Sequence, residues 1–338
     1  MARAYAPVDG VKLSSILAGL PDLRARLGGK PAEWRVREVG DGNLNLVFIV
    51  EGPAGGLVVK QALPYVRLVG ESWPPPLERS WFEYNALVEE GRYAPRLTPQ
   101  VFHFDREQAM IVMEYLSPHI IMRKGLVRGI EYPRFAADIA EFLAATLFHT
   151  SVLAGTAAEH KRRLELFARN VELCRITEDL VFTDPYREAP LKAAAQARKY
   201  QFLTAGQALI HGDLHTGSIM LTIADTRVID PEFAFVGPIG FDVGAVIGNL
   251  LLAYFAQEGH EAAPHARDPY RAWILEQVVA VWTGFHDRFL ACGGGRGEAR
   301  RLSPAFSPRC RTKPRLTPSA AGSCDRCSRW RSPSAGSR

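Results

Sequence analysis

A chain of 338 residues with 47% apolar side chains and no internal repeat is too long for one small core and suits a globular protein of two lobes or domains. Its formal charge of +5 is not a nucleic-acid signature: residues 293–338 carry eleven Lys/Arg against two Asp/Glu, and the remaining 30 basic against 34 acidic residues leave the body mildly acidic. The N-terminus lacks a continuous apolar secretory run, and the longest apolar stretch, 244–256, contains Asn249 and is too short to span a bilayer, so no membrane role and a cytoplasmic place are expected.

Residues 12–27 suggest short helical turns interrupted at Pro21. From Trp34 the pattern changes to strands over 34–39, 45–50 and 56–61, joined by glycine-rich turns, which predicts an antiparallel meander. The first joint, Gly40-Asp41-Gly42-Asn43, leads into Leu44 and Asn45 and is open to two readings. It is either an ordinary hairpin turn or a loop whose unobstructed backbone N–H groups close over phosphates. Lys60 lies one strand further on, on the face opposite Val59, where an ammonium can reach phosphate oxygens.

Residues 77–90 have helical spacing, and Glu83 on that helix is the expected partner of Lys60, with Glu78 and Glu89 as alternatives. Just before it, Pro74-Pro75-Pro76 holds the chain extended and places Trp73 in a loop, as a lid or an anchor. A buried strand over 108–113 runs into Glu114, Tyr115 and Leu116, whose free backbone groups suit an adenine edge and also suit a plain linker. Helices follow over 132–153, 159–176 and 190–205, so strands come first and helices afterwards. The expected class is α+β, in two lobes with a boundary near 114–118.

The most informative stretch is 211–220, His-Gly-Asp-Leu-His-Thr-Gly-Ser-Ile-Met. A hairpin after it returns the chain to Asp230-Pro231-Glu232, bringing Asp213 and the acid pair to one end of a small sheet. One acid before such a hairpin and two after it supply a base for a hydroxyl and a cradle for a divalent cation. Asp242 is placed as the N-cap of an apolar helix over 243–255, tying the loop to the helical lobe, and a last helix is expected over 273–289. Of the five cysteines, Cys324 and Cys327 have zinc-like spacing but no second pair or nearby His, so neither a metal site nor a disulfide framework is expected.

Several segments together resemble the 5-methylthioribose kinase family of the aminoglycoside-phosphotransferase and protein-kinase-like superfamily. They are 40–45 (GDGNLN), 59–67 (VKQALPYVR), 70–74 (GESWP), 119–125 (HIIMRKG), 211–220 and 230–242 (DPEFAFVGPIGFD), in order along the chain. Ser218, where related phosphotransferases carry a metal-binding Asn, also fits this family. The resemblance implies a bilobal kinase-like fold, with a nucleotide-binding lobe over 1–115 and a helical catalytic lobe over 116–292. It implies transfer of the γ-phosphoryl group of ATP, with Mg²⁺, to the anomeric hydroxyl of 5-methylthioribose in methionine salvage. By the same resemblance Asp213 is the base toward the sugar, Asp230 and Glu232 are the magnesium ligands, and Lys60 contacts phosphate. Residues Asp41 to Asn45 would cover the nucleotide, Glu114 to Leu116 would take the adenine, Trp73 would lie on the substrate side, and a homodimer is possible.

The departure from the family lies at the C-terminus. Residues 293–338 are rich in Gly, Arg, Ser and Pro and have few periodic apolar positions, so a disordered tail is expected. A shifted reading frame near Cys292 would produce such a composition. The arginine pair that the family uses on its sugar is not matched by the surroundings of Arg300 and Arg301. Two alternative functions follow: a phosphotransferase for aminoglycosides or amino alcohols, and a nucleotide-binding protein with little turnover.

Overall fold

The N-terminal strands are short, β-branched and alternating, and in the computed structural model they form a five-stranded antiparallel sheet in the order β1-β2-β3-β5-β4. The structure describes residues 5–39, 44–65, 75–188 and 190–294. Ahead of the sheet come α1 (Gly10–Ala18) and α2 (Pro21–Leu27), separated at Pro21 as expected. The strands are β1 (Arg35–Glu38), β2 (Asn45–Gly52), β3 (Gly55–Ala62), β4 (Val101–Asp105) and β5 (Met110–Glu114). Strand β4 has no clean alternation, and all five of its residues are half-buried, so composition alone did not single it out.

The period-two pattern decides what each face of this sheet does. Leu46, Phe48 and Val50 of β2 and Leu57 and Val59 of β3 pack on Leu13, Leu17, Leu23 and Leu27 of the two leading helices. The intervening residues, Val47 and Ile49 on β2 and Val58 and Lys60 on β3, face a cleft. Helix α3 (Arg79–Tyr93) starts later than expected and runs further; Glu78 takes the N-cap position. Its Leu87 packs against Ile111 and Met113 of β5.

The second part of the chain is built on β6 (Ile120–Ile121), α4 (Met122–Arg128), α5 (Phe135–Thr150), α6 (Ala157–Phe167), α7 (Val171–Thr177) and α8 (Lys192–Thr204). Strands β7 (Ala208–Ile210), β8 (Ile219–Leu221), β9 (Thr226–Val228) and β10 (Phe235–Gly237) follow, then α9 (Gly240–Ala256) and α10 (Asp268–Gly294). A second apolar core holds Phe135, Ile139, Phe142 and Leu143 of α5 against Leu250 of α9 and Ile274 and Val281 of α10. The helical periodicity of these segments carries that arrangement.

Three expectations are corrected here. The single helix over 159–176 is two helices, because the chain breaks at Asn170, whose side-chain amide donates to the carbonyls of Glu232 (2.9 Å) and Ala234 (3.0 Å). Asp242 is inside the first turn of α9, not its N-cap. The apolar segment, expected to be too short for a bilayer, is part of a helical stretch, Gly240–His260, that is long and apolar enough to cross one by length and composition; its Val243, Val246 and Leu250 are buried in the second core. The glycine loop at 40–43, Trp73 and the segment from 295 onward lie outside the described residues.

Candidate active site

Strand β7 delivers His211 to the end of a two-stranded sheet with β10, while β8 and β9 form the expected hairpin, pairing Ile219 with Val228 and Leu221 with Thr226. The loop between β7 and β8 is fixed by buried polar groups. The Asp242 carboxylate accepts the backbone N–H groups of His211 (2.7 Å) and Gly212 (3.1 Å). Burial pushes this carboxyl up to about 7, against the two N–H donors that favour its charge. Burial likewise lowers His211 to about 4, so its ring is neutral at physiological pH. The ring is held by both nitrogens: Nδ1 accepts from the Asp213 N–H (3.3 Å), leaving the Nε2 proton to donate to the Ile229 carbonyl (3.0 Å).

Gly212 sits at φ +80°, and a Cβ there would lie 2.3 Å from the Phe233 carbonyl oxygen. Only glycine meets both conditions. The Ser218 hydroxyl donates to the Asp213 carbonyl (2.9 Å), closing the loop. Asp213 therefore projects from a rigid frame, with 42% of its side chain exposed and His215 Nε2 at 3.6 Å from its Oδ2. Partial burial raises its pKa, and the charge of His215 opposes the shift; solvent at the exposed carboxyl keeps the shift modest.

The cation arrangement lies across the cleft. Lys60 is 8% exposed. Its ammonium binds Glu83 of α3 at 2.8 Å, forms a short contact with Asp230, and lies 3.9 Å from Glu232. Glu83 is thus the partner among the three candidates; Glu89 pairs with Arg163 and Arg92, and Glu78 with Arg169 and Arg106. Burial by itself would discharge Lys60, but the carboxylates of Asp230, Glu83 and Glu232 reverse this and hold its pKa above the ordinary value. Burial raises Glu83 against the pull of Lys60. Asp230 goes the other way: burial would raise it, yet Lys60, with a smaller pull from His211 and His215, holds it below the ordinary carboxylate value.

Asp230 has φ +71°, an unusual conformation for a residue other than glycine. Carboxylate oxygens of Glu83, Asp230 and Glu232 lie within 4.8 Å of one another. This hard-oxygen set could hold a divalent cation such as Mg²⁺, and the Lys60 ammonium engages two of its members, Glu83 and Asp230. Asn45 reaches the same place from β2, donating to Glu232 Oε2 at 3.1 Å.

A cleft of about 370 Å³ opens from Lys60 and Asp230 toward Met113, Glu114, Tyr115 and Leu116. The Glu114 carboxylate turns away from a ligand role; it accepts from the Gln100 N–H and from Arg227 of β9, both at 3.1 Å. The ring of Tyr115 lies over Gly56, and Leu116 is buried. All three residues line the cleft, and the Glu114 N–H is used within the lobe, donating to the Gln100 carbonyl (2.8 Å). Asp213 lines a separate cavity of about 950 Å³ beside α9, along with Phe202, Phe241 and Asn249. Asp41, Gly42, Asn43 and Trp73 are not among the described residues, whereas Leu44 and Asn45 are placed at the mouth of β2. Sequence reasoning missed Arg79, four residues before Glu83 and wholly buried, and Asn170; the spacing from Glu83 was the available signal for the first.

A phosphotransferase enzyme family model matches residues 35–274. Methylthioribose kinase 1 of Oryza sativa subsp. japonica is 45% identical over 331 residues, covering 90% of this chain and 77% of that protein. The methylthioribose kinase of Escherichia coli O45:K1 is 50% identical over 308 residues, covering 84% and 73%. The chain belongs to the methylthioribose kinase family. Another family member, from Pectobacterium atrosepticum, is 45% identical over 276 residues, covering 75% of this chain and 68% of its own. Membership makes the protein a kinase, and its α+β fold, with a sheet lobe ahead of a helical lobe, is the one expected from the sequence.

Replacing Gly212 by Ala should cost on the order of 1–3 kcal/mol of stability in urea denaturation, with loss of turnover, because the added Cβ meets a carbonyl and the backbone is in the left-handed region. An unchanged denaturation midpoint would contradict the account of the loop.

Proposed function

We propose that the protein transfers the γ-phosphoryl group of ATP to the anomeric hydroxyl of 5-methylthioribose. A kinase of this family implies a nucleoside triphosphate and a divalent cation, and a small-molecule acceptor. The observation that carries the reading is the division of the carboxylates: Asp230 and Lys60 line the cleft, while Asp213 lines a second cavity. Donor and acceptor would thus meet across one line of acids.

Residues 114–116, which line the cleft, suit the base of ATP, and Lys60, oriented by Glu83, suits its phosphates. Asp230 and Glu232 would hold Mg²⁺, which when bound supplies charge neutralisation for the transferred group. Asp213 would orient the sugar hydroxyl and accept its proton as the oxygen–phosphorus bond forms and the β–γ bridge breaks. Its charged form is needed for that, and the cleft supplies positioning more than a strong base.

Asp213 is the only carboxylate among the described residues lining the acceptor cavity, which also holds Arg198 and the apolar Phe182, Phe202 and Phe241. Such a wall suits a neutral sugar with an apolar substituent better than a polycationic aminoglycoside. We place this chemistry in the cytoplasm, as part of methionine salvage.

Incubation of the purified chain with ATP and Mg²⁺ against 5-methylthioribose, a panel of aminoglycosides and choline should give ADP release with the sugar alone. Release with an aminoglycoside or choline instead, or nucleotide binding without any turnover, would overturn the assignment. Because the folded pKa of Asp213 is raised and its ionised form is the active one, kcat/KM should fall with acidity at a pH above the ordinary carboxylate value of 3.8. Asp213→Asn should remove turnover by about 10²-fold or more while leaving nucleotide affinity unchanged. An acid limb at or below the ordinary value would argue against Asp213 as the base.

A further inference from the structure

Arg79 is the first residue of α3 and is 0% exposed. A buried guanidinium at a helix N-terminus is electrostatically misplaced twice over. It loses hydration, and it adds positive charge where the helix dipole is already positive. Something other than helix stability must account for it.

Its contacts supply the account. Nη2 donates to the carbonyl of Leu63 (3.0 Å), to Asn45 Oδ1 (3.2 Å) and to the carbonyl of Leu44 in a short contact. Nη1 donates to the Pro76 carbonyl (3.0 Å) and reaches that of Pro75 (3.5 Å). Nε is buried without a hydrogen-bond partner and lies 3.6 Å from Glu232 Oε2. That same oxygen accepts from Asn45, which is itself held by Arg79. One planar fork therefore ties the start of β2, the end of β3 and the proline segment before α3 to a carboxylate on the other side of the cleft. Lysine has the charge but lacks the fork.

We propose that Arg79 is a positioning residue that sets Glu232, directly and through Asn45, for the divalent cation that accompanies the nucleotide. The inference rests on the reading of Asp230 and Glu232 as the metal pair. Arg79 touches neither sugar nor phosphate in this scheme; it acts through Glu232. Three carboxylates, Glu83, Asp230 and Glu232, face two fixed cations, Lys60 and Arg79, which leaves net negative charge for a bound ion. The Nε hydrogen, unused by any backbone carbonyl, is the donor available to the Glu232 oxygen.

The test is calorimetric binding of ADP with and without Mg²⁺ to the native chain and to Arg79→Gln, Arg79→Lys and Asn45→Ala, with thermal midpoints in parallel. In the native chain Mg²⁺ should tighten ADP binding. Arg79→Gln should lose about 10- to 100-fold of the metal-dependent gain while retaining metal-free ADP affinity. Arg79→Lys should recover part of it, and Asn45→Ala, which removes one of the two routes to Glu232, should lose a smaller share. A merely structural role would lower the thermal midpoint and leave the ratio of the two affinities unchanged, and that result overturns the proposal. If the native chain shows no metal-dependent gain, the metal reading fails and this proposal with it. Should Arg79→Gln not fold, the ratio measured with Asn45→Ala decides in the same way.

Discussion

The ammonium of Lys60 inserted between Glu83 and Asp230 is the interaction on which the site depends. A buried charge without partners costs several kcal/mol, and removing one partner of a buried pair leaves the other uncompensated. Lys60 comes from β3, Glu83 from α3, and Asp230 from the segment after β9, so the three charged groups join three separate elements of the fold. The sheet face that carries Lys60 is fixed in turn by Leu57 and Val59 packing on α1 and α2, since a one-residue slip would send the lysine into that core.

Of four carboxyls in this region three are raised and one is lowered, and the difference comes from what each one touches. Asp242 is enclosed and held by two backbone N–H groups, and burial wins. Asp230 is open to the cleft and faces Lys60, and the ammonium wins. Glu83 is enclosed with the same lysine and moves upward. Asp213 stands half in solvent, with a modest upward shift that suits a group required to be charged and within reach of a hydroxyl proton. The frame beneath it, with neutral His211, the left-handed Gly212 and the hydroxyl of Ser218, has few ways to relax.

Much of this was legible in the sequence because local pattern and local chemistry coincided. Alternation in 45–50 and 56–61 placed Lys60 opposite Val59, and helical spacing put Glu83 where a lysine from the sheet could meet it. The hairpin between Asp213 and Asp230 followed from two apolar runs around a polar turn. What escaped depends on contacts between residues far apart in the chain. Asn170 stands at the break between α6 and α7 and is held by carbonyls some sixty residues later, and a single-sequence pattern holds no record of them. Arg79 looks like an ordinary surface residue at a helix start until Leu44, Leu63, Pro76 and Glu232 surround it. Asp242 was correctly tied to the His-Gly-Asp loop, but through a first-turn carboxylate and not a cap. Strand β4 escaped because its five residues are all half-buried and do not alternate.

The central claim is that the carboxylates beside Lys60 hold the metal of a nucleotide bound in the cleft. A crystal of the chain grown with a non-hydrolysable ATP analogue and Mn²⁺, with data collected at the manganese edge, tests it most directly. The account predicts an anomalous peak between Asp230 and Glu232 with the base against residues 114–116. A peak elsewhere, or a nucleotide outside this cleft, would contradict it.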